Sequence, residues 1–238
     1  MSVGKDLTDK LQLDAGYKYD KTDYEAPELY SWSQNLASLE AAHAMTDKSS
    51  VTLTGKIGSQ ESKGNTENAD FREVLLGVKT RLSRKVDAKA GVGRFSHDSG
   101  SASISKVGYD ASLVWQATDK VLLSAIANNT VEPATIYRNN YVIVSKGAAS
   151  GVWAIDQTYS VTLTGMYIQN DYDQDVVVNK VATKLKDHIA SGAIRFTYSA
   201  PAKFLKVFVE GKKESKDSTD KADNYDQTMA TIGAMLTY

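Results

Sequence analysis

The chain ends in the string Thr231-Ile232-Gly233-Ala234-Met235-Leu236-Thr237-Tyr238, whose residues alternate in character. At the two-residue period of a β-strand, Ile232, Leu236 and Tyr238 share one apolar face, and the other face carries smaller or more polar residues. The string therefore predicts a closing strand with one face towards lipid. The exposed last strand of an ordinary soluble sheet would alternate in the same way.

The composition favours strands over membrane helices. The 238 residues include only 3 prolines alongside 16 glycines and 13 tyrosines, and many are valine, leucine or threonine. No apolar run approaches the ~18 residues of a membrane-spanning helix. A membrane barrel turns apolar side chains outward and polar ones inward, so the negative mean hydropathy is compatible with a barrel.

Charge and cysteine content exclude several kinds of function. The formal net charge of −1 provides no overall attraction to nucleic acid. The absence of cysteine excludes disulfides, thiolate metal sites and cysteine nucleophiles. We predict no nucleic-acid partner, no cofactor and no bound metal. The opening residues Met1-Ser2-Val3-Gly4-Lys5 are no export leader, so we expect that any such signal has been removed.

Short polar turns and longer polar stretches alternate along the chain. The predicted turns are Thr46-Asp47-Lys48, Ser83-Arg84-Lys85, Thr118-Asp119-Lys120, Asp156-Gln157-Thr158 and Ala200-Pro201-Ala202. The longer stretches lie near 20–30, 60–70, 97–103, 128–140, 170–187 and 212–224. Short periplasmic turns and long extracellular loops are typical of outer-membrane barrels.

These connections predict a single all-β domain over residues 1–238. Five turns and six loops separate twelve strands, and an even number places both termini on the periplasmic side. Strands of ~9–11 residues are long enough to cross a bilayer. We therefore predict a transmembrane antiparallel up-and-down β-barrel of about twelve strands.

One segment, residues 33–45, also has a helical pattern. It is rich in alanine, and Leu36 and Leu39 are three residues apart. The two-residue period instead places Ala37, Leu39, Ala41 and Met45 on one face. We predict a strand, because a helix here would break the parity of turns and loops.

Strand periodicity assigns polar residues to the barrel interior. The first strand alternates clearly, with Leu11 and Leu13 opposite Gln12 and Asp14. The predicted pore-lining residues are Lys56, Glu73, Lys79, Arg81, Asp87, Lys89, Lys106, Asp110, Lys146, Arg195, Lys206 and Glu210. Positive charge exceeds negative in this set, so an anion-preferring pore is one interpretation. The other is that the charges pair and hold the wall.

Aromatic residues fall at two levels, near the short turns and towards the long loops. A soluble sandwich would share the two-residue period but not these levels. The predicted girdle comprises Tyr17, Tyr19, Trp115, Tyr141, Trp153, Tyr159, Tyr167, Tyr198, Phe204 and Tyr238. Aromatic belts of this kind lie at the two interfaces of a membrane barrel with outer-membrane lipid.

The chain resembles bacterial outer-membrane β-barrel porins. Residues 113–125, residues 167–173 and the ending from Asn224 are similar to the β-barrel porins found with exopolysaccharide systems. Length and strand number are similar, less closely, to the twelve-stranded oligosaccharide-specific porins. The ending also resembles the C-terminal assembly signal of these barrels, which implies that Thr231, Gly233, Leu236 and Tyr238 contact the barrel-assembly machinery.

Few residues suggest catalysis or metal binding. His97-Asp98 and Asp187-His188 could suit a surface hydrolase, but adjacent strand residues point to opposite faces, so rim residues are the simpler interpretation. The acidic run 170–175 lacks the glycine and glutamate of a calcium loop. A solvated acidic loop is the simpler interpretation of that run.

The sequence therefore predicts a non-enzymatic protein of the bacterial outer membrane. We expect a passive channel for small anionic or neutral solutes such as oligosaccharides, because a barrel of twelve strands encloses a narrow pore. A structural or adhesive barrel with a closed lumen is the alternative. A barrel hydrolase is a further one.

Overall fold

The fold was analysed in a computed structural model, which describes residues 2–23, 31–62, 68–99, 102–133, 141–178, 181–200 and 205–236. Apart from a single 3₁₀ turn, Lys221–Asp223, its regular elements are strands. No helix in these ranges is long and apolar enough to cross a membrane.

Thirteen strands form one antiparallel sheet in which each pairs with its neighbours in sequence. The up-and-down topology predicted from the sequence is confirmed. The strands are β1 Ser2–Thr8, β2 Leu11–Thr22, β3 Trp32–Ala44, β4 Ser49–Ser62, β5 Ala69–Ser83, β6 Val86–Ser99, β7 Ala102–Thr118, β8 Val121–Pro133, β9 Tyr141–Ala154, β10 Tyr159–Val178, β11 Val181–Ser199, β12 Leu205–Ser218 and β13 Tyr225–Leu236.

The alanine-rich segment 33–45 forms strand β3, as predicted. Each of its residues from Trp32 to Ala44 pairs with β4. Helix propensity is a weak local preference, and two neighbouring strands that supply a full ladder of hydrogen bonds override it.

The structure has thirteen strands where twelve were predicted, and the additional strand is β1. It pairs with β2 after a tight turn at Asp9 and Lys10, which the sequence analysis did not identify. Strand β1 therefore runs towards the short turns and starts at Ser2, opposite Gly16 in the middle of β2, while β13 ends at the short turns. The expectation that both ends lie at the short turns is wrong for β1.

Several predicted loops are largely strand. Strands β6 and β7 leave only residues 100–101 between them, and β10 and β11 leave only 179–180. Strand β10 has 20 residues, about twice the ~9–11 needed to cross a bilayer. Polar composition indicated loops at these places, but polar residues also form hairpins that continue beyond the membrane.

Side-chain oxygens at the short turns accept backbone hydrogen bonds. The Thr46 hydroxyl accepts from the N–H groups of Lys48 and Ser49, at 3.2 and 3.0 Å. The Asp156 carboxylate accepts from Thr158 and Tyr159, at 2.7 and 2.8 Å. Such bonds fix a turn locally, which explains the recurrence of Thr, Ser or Asp at these positions.

The Asp156 turn is expected to make stability depend on pH. The two backbone N–H groups hold the pKa of the Asp156 carboxyl below its usual range. A carboxyl with a lowered folded-state pKa stabilises the fold above its ordinary pKa, and this contribution is lost as pH falls through the lowered value. Asp156→Ala should therefore lower the unfolding midpoint at pH 7 and have less effect in acid. Thr46→Ala is the control, and its effect should not change with pH. Parallel pH profiles would contradict this account.

Two contacts show towards which face the sheet curls. Glu40 on β3 and Lys89 on β6 form an ion pair of 2.7 Å, although two strands lie between them. The ring centroids of His97 on β6 and Tyr141 on β9 are 4.0 Å apart, although β7 and β8 lie between these strands in the sheet. Since neighbouring strands are ~4.8 Å apart, such contacts require the sheet to curl towards the face that carries Glu40, Lys89 and His97. We call this the concave face.

The opposite, convex face is predominantly apolar and exposed. Leu76, Leu163 and Ile232 on this face retain 60%, 57% and 79% of their accessible surface. The cross-strand register places Leu113, Leu163 and Val207 on the convex face and Lys79, Asp110 and Lys206 on the concave face. Contact of the convex face with lipid remains a prediction.

The two edge strands are not joined to each other in the described residues. Strand β1 pairs with β2 and β13 pairs with β12. In an antiparallel sheet of thirteen strands, the first and the last run in the same direction. A direct pairing of β1 with β13 would therefore be parallel, whereas antiparallel closure requires an odd number of strands between them.

A seam separates the loop-side halves of β7 and β8. Their described backbone pairing ends at Asp110 and Asn128, although each strand remains paired with its other neighbour. The Asn129 side chain bridges the first part of the seam: its Oδ1 accepts from the Tyr109 N–H at 2.7 Å, and its Nδ2 donates to the Val107 carbonyl at 2.8 Å. One amide thus replaces a backbone partner where the strands diverge.

Removing this bridge should destabilise the sheet. Asn129→Ala removes two hydrogen bonds to the backbone, each of which typically contributes ~0.5–1.5 kcal/mol. Asn128→Ala is the control, because its side chain has no hydrogen bond in the described part of the structure. Equal unfolding free energies for the two variants would argue against the bridge.

Candidate functional site: the concave face

All twelve predicted pore-lining residues lie on the concave face. Cross-strand pairs such as Lys56 with Glu73 and Lys79 with Lys89 place them in the same phase, and the register extends this to β12. The alternation of polar and apolar residues in the sequence was sufficient to predict that these side chains share one face. Their role in lining a pore remains a prediction.

About half of the predicted cations have an acidic partner. Lys56 binds Glu73 at 2.7 Å, and Arg195 binds Glu210 at 2.7 Å. Arg81 contacts Asp87 at 3.3 Å in an exposed pair near the short turns. Pairs of this kind between neighbouring strands hold the wall more than they attract a solute.

Other concave-face charges have no ion-pair partner among the described residues. The lysines concerned are Lys79, Lys106, Lys146 and Lys206, and the acids are Asp6, Asp14, Asp110 and Glu132. Charged groups without a partner remain stable only in contact with water.

The expected positive excess is wrong for the described part of this face. Sequence reasoning omitted several acids, among them Glu40, Glu132 and Glu214. The eleven cations are Lys18, Lys56, Lys79, Arg81, Lys89, Lys106, Lys146, Arg195, Lys206, Lys212 and Lys216. The eleven acids are Asp6, Asp14, Asp20, Glu40, Glu73, Asp87, Asp110, Glu132, Asp187, Glu210 and Glu214.

A polar cavity of about 360 Å³ lies in the half of the concave face near the short turns. The Glu40–Lys89 pair contributes to its lining, together with Asp14 and Asp110. Glu40 also accepts a hydrogen bond from Thr54 at 3.1 Å. Gly77 and Gly91, which pair with each other, also line this cavity.

A second set of contacts occupies the concave face near the loops. His97 and Tyr141 retain 2% and 4% of their accessible surface and pack edge to face. On strands β10 to β12, the Asp187 carboxylate accepts a hydrogen bond from the Tyr172 hydroxyl at 3.2 Å and forms an ion pair with Lys216 at 3.0 Å. The His97–Tyr141 contact narrows the space enclosed by the curled sheet at this end, whereas Tyr172, Asp187 and Lys216 join adjacent strands.

Neither histidine–aspartate pair is arranged as a catalytic dyad. His97 is buried on the concave face, whereas Asp98 lies on the convex phase of β6 and is exposed. Asp187 faces inward, while the convex His188 contacts the Tyr167 hydroxyl at 2.7 Å. The arrangement gives neither histidine the adjacent carboxylate as a partner for activating water.

The described part of the acidic run 170–175 forms no cation site. Asp171 pairs with Lys186 at 3.2 Å. The side chains of Asp173 and Asp175 lie outside the described residues. No group of three potential metal ligands occurs in the described part of the chain.

The predicted girdle residues do not all share one environment. Tyr17, Tyr19, Trp115, Trp153, Tyr159 and Tyr167 are exposed on the convex face. Tyr198 packs beside Tyr159, with ring centroids 5.5 Å apart. Tyr141 differs, because it is buried against His97. Phe204 and Tyr238 lie outside the described residues.

An apolar band on the concave face was missed by the sequence analysis. Ile126 on β8, Met166 on β10 and Ile189 on β11 share the phase of the polar inward residues. Ile126 retains 41% of its accessible surface. A search for charged inward positions passed over this band, although the same alternation identifies it.

Close packing against a neighbouring ring requires glycine at position 233 of the terminal strand β13. Gly233 pairs with Phe208, and a side chain at Gly233 would clash with the Phe208 ring. The Arg195 guanidinium lies 4.5 Å from the centre of that ring. Thr231 and Gly233 lie on the concave phase and Leu236 is exposed on the other; their role in assembly remains a prediction.

Comparison with solved structures agrees with this fold. The FrpB iron transporter from Neisseria meningitidis has a TM-score of 0.60 at 9% identity, covering 90% of this chain and 42% of that one. The outer membrane channel DcaP of Acinetobacter baumannii has a TM-score of 0.57 at 13% identity, covering 99% and 83%. No curated protein matches the chain in sequence.

The sequence of the second half carries the family assignment. Residues 93–238 match the family model described as putative beta-barrel porin 2, which is more than half of the chain. All-β topology, outer-membrane structural neighbours and this match place the protein in the bacterial outer membrane. The chain belongs to the putative beta-barrel porin 2 family.

Proposed function

We propose that the protein is a passive outer-membrane channel for small anionic or neutral solutes, among which oligosaccharides are a suitable class. The proposal rests on the unpaired charges of the concave face. In the described residues, Lys79, Lys106 and Lys146 have no carboxylate in an ion pair with them, and Asp110 and Glu132 have no cation in an ion pair with them. Solvating such charges requires a water-filled interior, and a closed and dry lumen would leave them at high energy.

The charge balance of this face limits the expected selectivity. Eleven described cations face eleven acids, so the average potential along the lumen should be small. Selectivity then depends on local groups such as Lys79 and Lys106. A neutral saccharide or a small anion is compatible with such a wall.

The edge strands β1 and β13 need partners in the membrane. Unpaired backbone groups are costly in lipid, so β1 and β13 should be covered in the membrane. We propose that the strand with Thr231, Gly233 and Leu236 contacts the barrel-assembly machinery during insertion. Leu76 and Leu163 on the convex face would contact lipid in the finished barrel.

The alternative is a structural or adhesive barrel whose lumen is closed. The contact of His97 with Tyr141 near the loops favours it, because this contact crosses two intervening strands and narrows that end. The two functions differ in whether the folded protein conducts ions.

Removing unpaired lysines should change the ion selectivity of the channel. Lys79→Gln and Lys106→Gln each remove a positive charge from the lumen, so the reversal potential in a salt gradient should shift towards cation preference. The shift should grow at low salt, where screening is weak. Lys213→Gln is the control, since Lys213 lies on the convex phase of β12. A conducting channel whose selectivity none of these changes alters would show that the lysines do not line the pore.

A further inference from the structure

The apolar band forms a continuous patch on the concave face. Ile126, Ala148 and Met166 align across strands β8, β9 and β10. A second row lies two positions further along each strand, towards the loops, and consists of Asn128, Lys146 and Ile168. Ile126 is 41% exposed, so the patch is an accessible surface rather than part of a packed core.

A cation and an amide border the patch on its loop side. Lys146 has no ion pair among the described residues and lies directly beside Asn128 and Ile168 in the sheet.

This juxtaposition defines a chemical class of ligand. An ammonium group beside an amide suits a carboxylate, because charge-assisted hydrogen bonds are stronger than neutral ones. Accessible isoleucine and methionine side chains suit an apolar body, which gains free energy when its surface leaves water. A hydrated inorganic anion would not use the patch, and a neutral hydrocarbon would not use Lys146.

We propose that the concave face binds small amphipathic organic anions, with the carboxylate at Lys146 and Asn128 and an aromatic or short aliphatic body on Ile126, Met166 and Ile168. This inference rests on the proposed channel function and names a solute class for it. The two rows of the patch are about 7 Å apart along the strands, which suits a body the size of one aromatic ring.

Benzoate is a suitable probe because it joins the two chemistries in a water-soluble molecule. Its binding to the full chain in detergent can be measured by ligand-observed nuclear magnetic resonance, with benzyl alcohol and acetate as probes that each lack one half. We expect benzoate to bind more tightly than either. Lys146→Gln should weaken benzoate binding about tenfold, as expected when a hydrogen bond to a charged group is lost. Met166→Ser should weaken binding by removing apolar contact area.

Lys206→Gln is the matched control, since it removes another unpaired lysine of the concave face, close to the short turns. It should leave benzoate binding unchanged. Equal losses in Lys146→Gln and Lys206→Gln would overturn the proposal. So would benzyl alcohol or acetate binding as tightly as benzoate, the first indicating a purely apolar surface and the second a general anion site. Heat-modifiable migration on gels verifies that each variant is folded.

The binding assay separates this inference from the channel proposal. Benzoate that binds in detergent while the folded protein carries no current would contradict the channel and leave the ligand site. Current without benzoate binding would contradict the ligand site and leave the channel.

Discussion

Leu163→Arg should destabilise the barrel in lipid by about 2–4 kcal/mol, the usual cost of arginine on the lipid face near the bilayer midplane. Leu163 is 57% exposed on the convex face, and its neighbours across the sheet are Gly151 and Ile194. The arginine would replace an apolar contact with lipid by a charge that must reach the interface or draw water inward.

The adjacent residue provides the control. Thr164 lies on the concave face, paired with Ser150 and Ala193. Thr164→Arg should therefore cost little stability and alter conductance instead. Denaturant titration in lipid vesicles measures both variants. A larger loss for Thr164→Arg than for Leu163→Arg would reverse the assignment of faces, because a slip of one residue exchanges the two sides of a strand.

Gly93→Ala should cost about 3 kcal/mol or more, at the upper end of the usual cost of overpacking. Strand β6 approaches β5 so closely at this point that a Cβ on Gly93 would clash with the Val74 carbonyl. Backbone atoms cannot move aside as a flexible side chain can. The substitution must therefore disturb the pairing of Gly93 with Leu75 or displace the neighbouring strand.

Gly165→Ala tests whether the effect comes from this close approach. Gly165 also lies within a strand, but nothing occupies the space within 4 Å of its position for a Cβ. Alanine there should be neutral or slightly stabilising, since glycine is unfavourable in strand interiors. Equal unfolding midpoints for the two variants would contradict the packing described for Gly93.

The two-residue period predicted much of the architecture. It identified strand β3 against its helical composition, and it placed Lys56, Glu73 and Arg195 in one phase. The period is informative because a slip of one residue would move every apolar side chain of the strand to the polar face.

Other features depended on tertiary contacts that no local pattern encodes. Strand β1 begins within the first residues, where the turn at Asp9 and Lys10 resembles any polar pair. Tyr141 has the sequence setting of an interface aromatic, but its ring is buried because it meets His97 from a strand three places away. The charge balance required counting every inward residue, and acids such as Glu40 were recognised only once the register was known.

If the concave face lines an open, water-filled pore, the folded protein should conduct ions in planar-bilayer recordings. We expect stepwise ion conductance with weak charge selectivity, which shifts towards cations in Lys79→Gln and Lys106→Gln. A heat-modifiable, correctly folded barrel that inserts into the bilayer and carries no current would contradict it.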